Sequence, residues 1–136
     1  MIDKEILNIA SNTENHGTLE SHTHFSKLKN SICGDEMKIY LIIENNKITN
    51  FKYECESCIY CQASVSLLSR KAKSKSIEKV KNFAEQAKNC FDKSSKSLDK
   101  EWKEFDMIMT KNNISRKECL LLPLNTTLDA LNKKSL

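Results

Sequence analysis

The stretch of residues 37–54, MKIYLIIENNKITNFKYE, contains the clearest secondary-structure signal in the chain. Apolar and polar side chains alternate over 37–44, which is the period of a β-strand with one buried face. Asn45 and Asn46 follow, and asparagine tolerates the positive φ angles that a two-residue hairpin turn requires. Residues 47–54 then return as the partner strand. The sequence therefore predicts an antiparallel β-hairpin.

Weaker signals precede the hairpin, and helical signals follow it. Residues 2–10 predict a short helix, and residues 22–30 predict an extended segment. After the hairpin, apolar side chains recur at helical spacing over 63–72 and again in a helix that begins after Ser76, a favourable N-cap residue. Ser97 is predicted to cap a further helix, whose inward side chains are Leu98, Trp102, Phe105 and Met109.

The last helix is predicted to begin near Pro123, with Cys119 in the turn just before it. The reason is that proline fits the first turn of a helix but disrupts its interior.

Length and composition limit the class of protein. With 136 residues, 39% hydrophobic and 29% charged, the chain is expected to form one globular domain over 1–136. Two glycines and one proline argue against an all-β fold and against glycine-rich phosphate or dinucleotide loops. No apolar run approaches the roughly 20 residues of a membrane span, and the first residues do not resemble a secretory signal. A cytoplasmic protein without a membrane partner is expected.

Charge is unevenly distributed along the chain. Residues 1–65 carry a net charge of −3 and residues 66–136 a net charge of +7. A basic half can indicate nucleic-acid binding, but here lysines alternate with acidic residues along the predicted helices. The aromatic residues of this half fall at core-like positions. A solvated basic face is therefore favoured, and no nucleic-acid partner is expected.

Three of the six cysteines lie near the ends of predicted elements, where they can meet. These are Cys33, Cys58 and Cys119, and Asp35 follows the first of them by two residues. Three thiolates and one carboxylate suit zinc or one end of an iron–sulfur cluster. Gly34 allows Cys33 and Asp35 to face the same ion. Spacing alone does not bring these residues together, since 61 positions separate Cys58 from Cys119.

A second metal-binding pattern competes with the first. Cys55-x-x-Cys58-x-x-Cys61 is similar to the ligand run of a bacterial ferredoxin, although a fourth nearby cysteine and a following proline are missing. It leaves open a cluster-carrying electron-transfer module as an alternative. A basic nucleic-acid-binding domain with structural zinc is a third alternative. Cys90 is expected to have no chemical role.

Four segments, in the right order, resemble motifs of the NifU/IscU/SufU iron–sulfur assembly proteins. Residues 30–35, NSICGD, resemble Asn-Pro-x-Cys-Gly-Asp. Residues 53–66, YECESCIYCQASVS, resemble Phe-x-Gly-x-Gly-Cys-x-Ile-Ser-x-Ala-Ser-x-Ser. Residues 116–124, RKECLLLPL, are similar to the segment of the third cysteine, and residues 12–19, NTENHGTL, to Asn-Pro-x-Asn-x-Gly-x-Leu.

This resemblance implies an α+β fold, in which a small antiparallel sheet of about three strands packs against several helices. It also implies one metal site formed by Cys33, Asp35, Cys58 and Cys119, holding Zn²⁺ or a transient [2Fe–2S] cluster. The implied function is iron–sulfur cluster assembly. The implied partners are a cysteine desulfurase and the apo iron–sulfur recipients or other assembly proteins.

Two features favour the SufU branch of this family. The long interval between Cys58 and Cys119 has room for the extra helical insertion of that branch. Glu118 stands where the IscU branch has histidine, and the Leu-Pro-Pro-Val-Lys motif of IscU is absent. The resemblance implies either a zinc-dependent persulfide acceptor or a non-enzymatic scaffold. Cys33 is the expected accepting thiol, because its glycine-containing loop is expected to be the most mobile of the three cysteine loops.

The chain departs from the family motifs around its second cysteine. Cys55 and Ser57 replace two glycines, and Cys61 replaces a serine. Ser31 replaces the proline of the first motif. The two added thiols are either members of the site or bystanders that are open to oxidation.

Overall fold

The computed structural model describes residues 4–31, 34–91 and 98–133. Within them, three strands form one antiparallel sheet in the order β1-β2-β3. The strands are β1 (His24–Lys29), β2 (Glu36–Glu44) and β3 (Lys47–Glu56). Asn45 and Asn46 have φ angles of 53° and 63°, which is the left-handed pair of a type I′ turn. The predicted hairpin is confirmed.

One face of the sheet carries the core. Met37, Ile39 and Leu41 on β2 are fully buried, as the alternation predicts. A register shift between Ile42 and Ile43 ends this alternation near the turn. The strand after the turn is longer than predicted, because β3 continues to Glu56 and remains paired with β2.

Four α-helices and two 3₁₀ segments complete the described fold. The helices are α1 (Lys4–Ala10), α2 (Ile59–Lys71), α3 (Ile77–Asn89) and α4 (Lys117–Leu131), and the 3₁₀ segments are Lys100–Met107 and Lys111–Arg116. Helix α4 lies against β1 and β2, and α2 lies against β3, α1 and α4. The helices therefore cover the apolar face of the sheet, and the predicted α+β class is confirmed. No helix in the described ranges is long and apolar enough to cross a membrane.

Serine side chains allow α2 to pack closely against its neighbours. Ser64, Ser66 and Ser69 are all buried. The hydroxyl of Ser64 donates to the carbonyl of Leu120 on α4 at 2.7 Å. The hydroxyl of Ser66 donates to the carbonyl of Asn12, after α1, also at 2.7 Å. Each hydroxyl thus has a partner, so these small polar groups are buried without an unpaired donor.

The predicted start of the last helix is wrong. Helix α4 begins at Lys117, so Cys119 lies in its first turn and Pro123 lies inside the helix. A proline in a helix interior costs about 3 kcal/mol, since it cannot donate to the carbonyl four residues earlier, here that of Cys119. Burying a leucine gains about 1.5–3 kcal/mol. This turn buries Leu120, Leu121, Leu122 and Leu124. Burial of these leucines outweighs the cost of the proline.

The segment after α3 keeps its predicted inward side chains but not its predicted conformation. Leu98, Trp102, Phe105 and Met109 are all buried. The ring of Trp102 stacks on Phe83 of α3, with centroids 4.2 Å apart. The backbone is nevertheless 3₁₀ over Lys100–Met107. The predicted cap, Ser97, and Ile2 of the predicted first helix lie outside the described residues.

Candidate metal centre

Three of the four predicted site residues meet at one end of the molecule. The ligand atoms of Asp35, Cys58 and Cys119 all lie within 4.8 Å of one another. Asp35 and Cys119 are 7% and 5% exposed, and Cys58 is half-buried. The fourth predicted residue, Cys33, lies outside the described residues. The group therefore combines two thiols and one carboxylate that come from three separate elements.

Strand pairing explains why Asp35 and Cys58 are neighbours. The first residue of β2, Glu36, pairs with the last residue of β3, Glu56. Asp35 comes just before this pair and Cys58 just after it, as the N-cap residue of α2. The carboxylate oxygen Oδ1 of Asp35 accepts a hydrogen bond from the Cys58 N–H at 3.2 Å. The carboxylate is thereby held near a helix N-terminus, where negative charge is stabilised.

Backbone hydrogen bonds join the two described ends of the loop that precedes β2 and carries Asp35. The Asn30 N–H donates to the carbonyl of Asp35 at 2.8 Å, and the Gly34 N–H donates to the carbonyl of Asn30 at 2.7 Å. Gly34 has a φ angle of +78°, which is left-handed and favours glycine. The glycine thus turns the chain just before Asp35.

Cys119 reaches the site through the contact between α2 and α4. The bond from Ser64 to the carbonyl of Leu120 joins the two helices one residue beyond Cys119. Near the start of α4, the Arg116 guanidinium lies 5.2 Å from the centroid of the Tyr60 ring on α2. Lys117 lies 5.9 Å from the ring centroid of Phe91. Two cations therefore lie at the start of α4, two and three residues before Cys119 in the chain.

The donor set fits a bound cation. The Oδ2 atom of Asp35 is buried and has no hydrogen-bond partner among the described residues. Such an oxygen costs about 1–3 kcal/mol unless it is satisfied, and a metal ion satisfies it. Two thiolates bound tetrahedrally at about 2.3 Å from zinc would lie about 3.8 Å apart. The ligand atoms of the observed group lie within 4.8 Å of one another, which is compatible with this separation.

Comparison with known proteins identifies the family. Residues 1–101 match the family model described as the NifU-like N terminal domain. The chain belongs to this family.

Relatives of the same kind match over nearly the whole chain. The "Iron-sulfur cluster assembly scaffold protein IscU" of Thermotoga maritima is 29% identical, over 99% of this chain and 95% of its own length. A solved structure from Fervidobacterium islandicum AW-1, titled a putative iron–sulfur cluster assembly scaffold protein for the SUF system, is 26% identical. It superposes with a TM-score of 0.84 and covers 96% of both chains. The predicted NifU/IscU/SufU resemblance is confirmed.

The fold is also shared with a more distant structure. The NifU-like N-terminal protein of Brucella abortus superposes with a TM-score of 0.88 at 19% identity. That match covers 96% of this chain and 91% of the other. The sheet and helices described above are thus those of the NifU-like family.

This NifU-like chain has two cysteines, Cys55 and Cys61, at positions where the family motif has glycine and serine. Both are close in sequence to Cys58 but lie outside the metal group, which consists of Asp35, Cys58 and Cys119. Of the run Cys55, Cys58 and Cys61, only Cys58 belongs to the group found among the described residues. Cys61 is fully buried in the first turn of α2, and burial raises the pKa of its thiol well above the usual range. This arrangement does not favour a ferredoxin-like ligand run.

Cys55 has a different environment, which the sequence did not predict. It is half-buried at the end of β3, and burial is the main cause that raises the pKa of its thiol. The hydroxyl of Ser57 lowers this pKa, while the negative charges of Asp35 and Cys58 raise it further. The sequence predicts that this strand ends at Glu54, one residue before Cys55. In the structure Cys55 lies in β3, two residues after Tyr53, which pairs with His16, a residue to which spacing assigns no role.

Proposed function

We propose that this protein is an iron–sulfur cluster assembly scaffold that holds its cargo at Asp35, Cys58 and Cys119. The observation that carries the proposal is the convergence of their ligand atoms within 4.8 Å, with one carboxylate oxygen buried and unpaired among the described residues. The names of the Thermotoga and Fervidobacterium relatives support the same function. The site's cargo is Zn²⁺ or a nascent [2Fe–2S] cluster, both of which accept thiolate and carboxylate ligands.

The fourth ligand in this proposal is Cys33. It precedes Asp35 by two residues, on the loop whose described ends are joined by backbone hydrogen bonds. A set of three thiolates and one carboxylate completes four-coordination. The positive charges of Arg116 and Lys117, held over aromatic rings near the start of α4, offset part of the negative charge of this set.

Cys33 is also the proposed sulfur acceptor, with a cysteine desulfurase as donor. Its thiolate attacks the outer sulfur of the donor's persulfide, a new S–S bond forms at Cys33, and the donor's cysteine leaves as a thiolate. Sulfur is transferred without net oxidation or reduction. An apo iron–sulfur protein is the proposed recipient. The long interval before Cys119 supports assignment to the SufU branch.

Metal analysis of cysteine variants tests the scaffold proposal. Cys58→Ser and Cys119→Ser should lose stoichiometric zinc, and neither should form a visible chromophore after anaerobic addition of Fe²⁺ and sulfide. Cys90→Ser is the matched control, since Cys90 is a buried thiol outside the group. Stoichiometric metal in both site variants would overturn the proposal. For the acceptor role, Cys33→Ser should lower the stimulation of desulfurase turnover, and undiminished stimulation would exclude Cys33.

A further inference from the structure

A surface pocket of about 450 Å³ lies between the end of α1, the loop after it, β3 and α2. Its lining residues are Ala10, Thr13, His16, Tyr53, Cys55 and Gln62. A second pocket, of about 190 Å³, is lined by His16, Glu36, Lys38, Glu54, Cys55 and Glu56. His16 and Cys55 line both pockets. An imidazole and a thiol therefore line the same two pockets.

Backbone hydrogen bonds hold the segment around His16 against β3. The Gly17 N–H donates to the carbonyl of Tyr53 at 2.8 Å, and the Tyr53 N–H donates to the carbonyl of Asn15 at 3.2 Å. The segment around His16 therefore pairs with the edge of β3. The His16 ring meets the Tyr53 ring edge-on, with centroids 5.5 Å apart. Cys55 is the next residue on the same face of the strand as Tyr53.

The same thiol is close along the chain to the metal group. Three residues of chain span at most about 11 Å, so the backbones of Cys55 and Cys58 cannot be further apart than this. Two cysteine side chains can bridge much of that distance when they turn toward each other. Cys55 thus lies between an open pocket, which it shares with His16, and Cys58 of the candidate metal centre.

We propose that Cys55 is a second sulfur-accepting cysteine, which takes the outer sulfur of a persulfide in the His16 pocket and passes it to Cys58. This inference rests on the proposed function and adds an entry route to it. The chemical class of its substrate is a persulfide, carried either by a small thiol or by a protein cysteine. The pocket is large enough for the first and open enough for the tip of the second.

Both transfer steps balance without an added oxidant or reductant. In the first, the S–S bond of the incoming persulfide breaks and an S–S bond to Cys55 forms. The proton of the Cys55 thiol goes to the departing thiolate, and the His16 imidazole, which lines the same pocket, is the proposed carrier of that proton. In the second, the Cys58 thiolate attacks the outer sulfur on Cys55, the S–S bond at Cys55 breaks, and Cys55 leaves as a thiolate that regains a proton from water. The net result is a persulfide at Cys58, with Cys55 and the carrier both returned as thiols.

The test follows persulfide sulfur residue by residue in the full-length protein. Zinc-loaded protein is exposed either to cysteine persulfide or to a cysteine desulfurase with cysteine, and is quenched with iodoacetamide at short times. Trypsin leaves Cys55, Cys58 and Cys61 on one peptide, between Lys52 and Arg70, so fragment ions are needed to locate the label. Cys55→Ser and Cys55→Ala are compared with wild type and with Cys90→Ser.

In wild type, the label should reach Cys55 before Cys58. In both Cys55 variants, arrival of sulfur at Cys58 should slow about tenfold, because the intramolecular donor and its high effective concentration are lost. Zinc content and thermal midpoint should stay at their wild-type values. Cys90→Ser should behave as wild type. Labelling of Cys55 from only one of the two donors would support the route and show whether a small thiol or a protein cysteine supplies the sulfur.

Two results would overturn the route. One is the absence of label on Cys55 with both donors, and the other is wild-type arrival at Cys58 in both Cys55 variants. If either occurs while Cys58→Ser and Cys119→Ser still lose zinc, the scaffold proposal stands and only the entry route fails. If those variants keep zinc, the scaffold proposal itself fails.

Discussion

The two carboxylate oxygens of Asp35 have different environments. One carboxylate oxygen accepts the Cys58 N–H at the start of α2, and the other is buried without a partner among the described residues. A purely structural cap would leave the second oxygen desolvated and unsatisfied. The position of that oxygen within the group of two thiols explains the arrangement better, because a bound cation compensates the buried charge.

Removing this carboxylate should weaken metal binding. We expect Asp35→Ala to lower zinc affinity by at least about tenfold, the smaller end of the effects seen when groups around a metal are removed. Competition with a chromophoric chelator measures the change. Asp35→Asn is the matched control, since it keeps an acceptor for the Cys58 N–H but lacks the negative charge. Wild-type zinc affinity in Asp35→Ala would exclude Asp35 as a ligand.

At this scale, residue spacing predicted which side chains could bind a metal but not that they meet. The thiols and the carboxylate were identifiable from residue type. Their proximity depends on the pairing of Glu36 with Glu56 and on the contact between α2 and α4. The family resemblance supplied that proximity, and the structure places Asp35, Cys58 and Cys119 accordingly. No residue pattern indicates that His16 pairs with Tyr53 and shares two pockets with Cys55, because backbone hydrogen bonds create this arrangement.

Turn, cap and proline preferences predict the helices and strands correctly where they agree with the burial of apolar side chains. The turn at Asn45 and Asn46 and the cap at Ser76 both agree, and both were predicted correctly. The start of α4 differs from its prediction, because burial of the apolar side chains on both sides of Pro123 outweighs the preference of proline for a first turn. For a buried helix, the area removed from water decides the boundary more strongly than one missing hydrogen bond.

The cap of α3 provides an element-scale prediction. The Ser76 hydroxyl accepts a hydrogen bond from the Lys79 N–H at 3.2 Å. We expect Ser76→Ala to lower the free energy of unfolding by about 1 kcal/mol, the usual cost of losing such a cap. Urea unfolding measures this change. Ser76→Asp should retain most of the stability, because its carboxylate can accept the same bond. Equal losses in the two variants would show that the hydroxyl cap does not contribute.

At the scale of the whole molecule, the metal group brings together three separate segments of the chain. The loop before β2, the start of α2 and the first turn of α4 each contribute one residue to the metal group. These elements are far apart in sequence and have no covalent cross-link among their described cysteines. An ion bound to all three would connect them only in the folded state. Metal binding should therefore stabilise the fold as a whole.

Thermal unfolding with and without zinc tests this coupling. A ligand present at 100 times its dissociation constant, and binding only the folded state, adds about 2.7 kcal/mol to the free energy of unfolding. We therefore expect zinc to raise the thermal midpoint and a chelator to reverse the increase. Trp102 is the single tryptophan and is buried on Phe83, so its fluorescence reports global unfolding. Cys119→Ser should lose the increase and Cys90→Ser should keep it. The same zinc-dependent increase in Cys119→Ser would mean that the stabilising ion binds elsewhere.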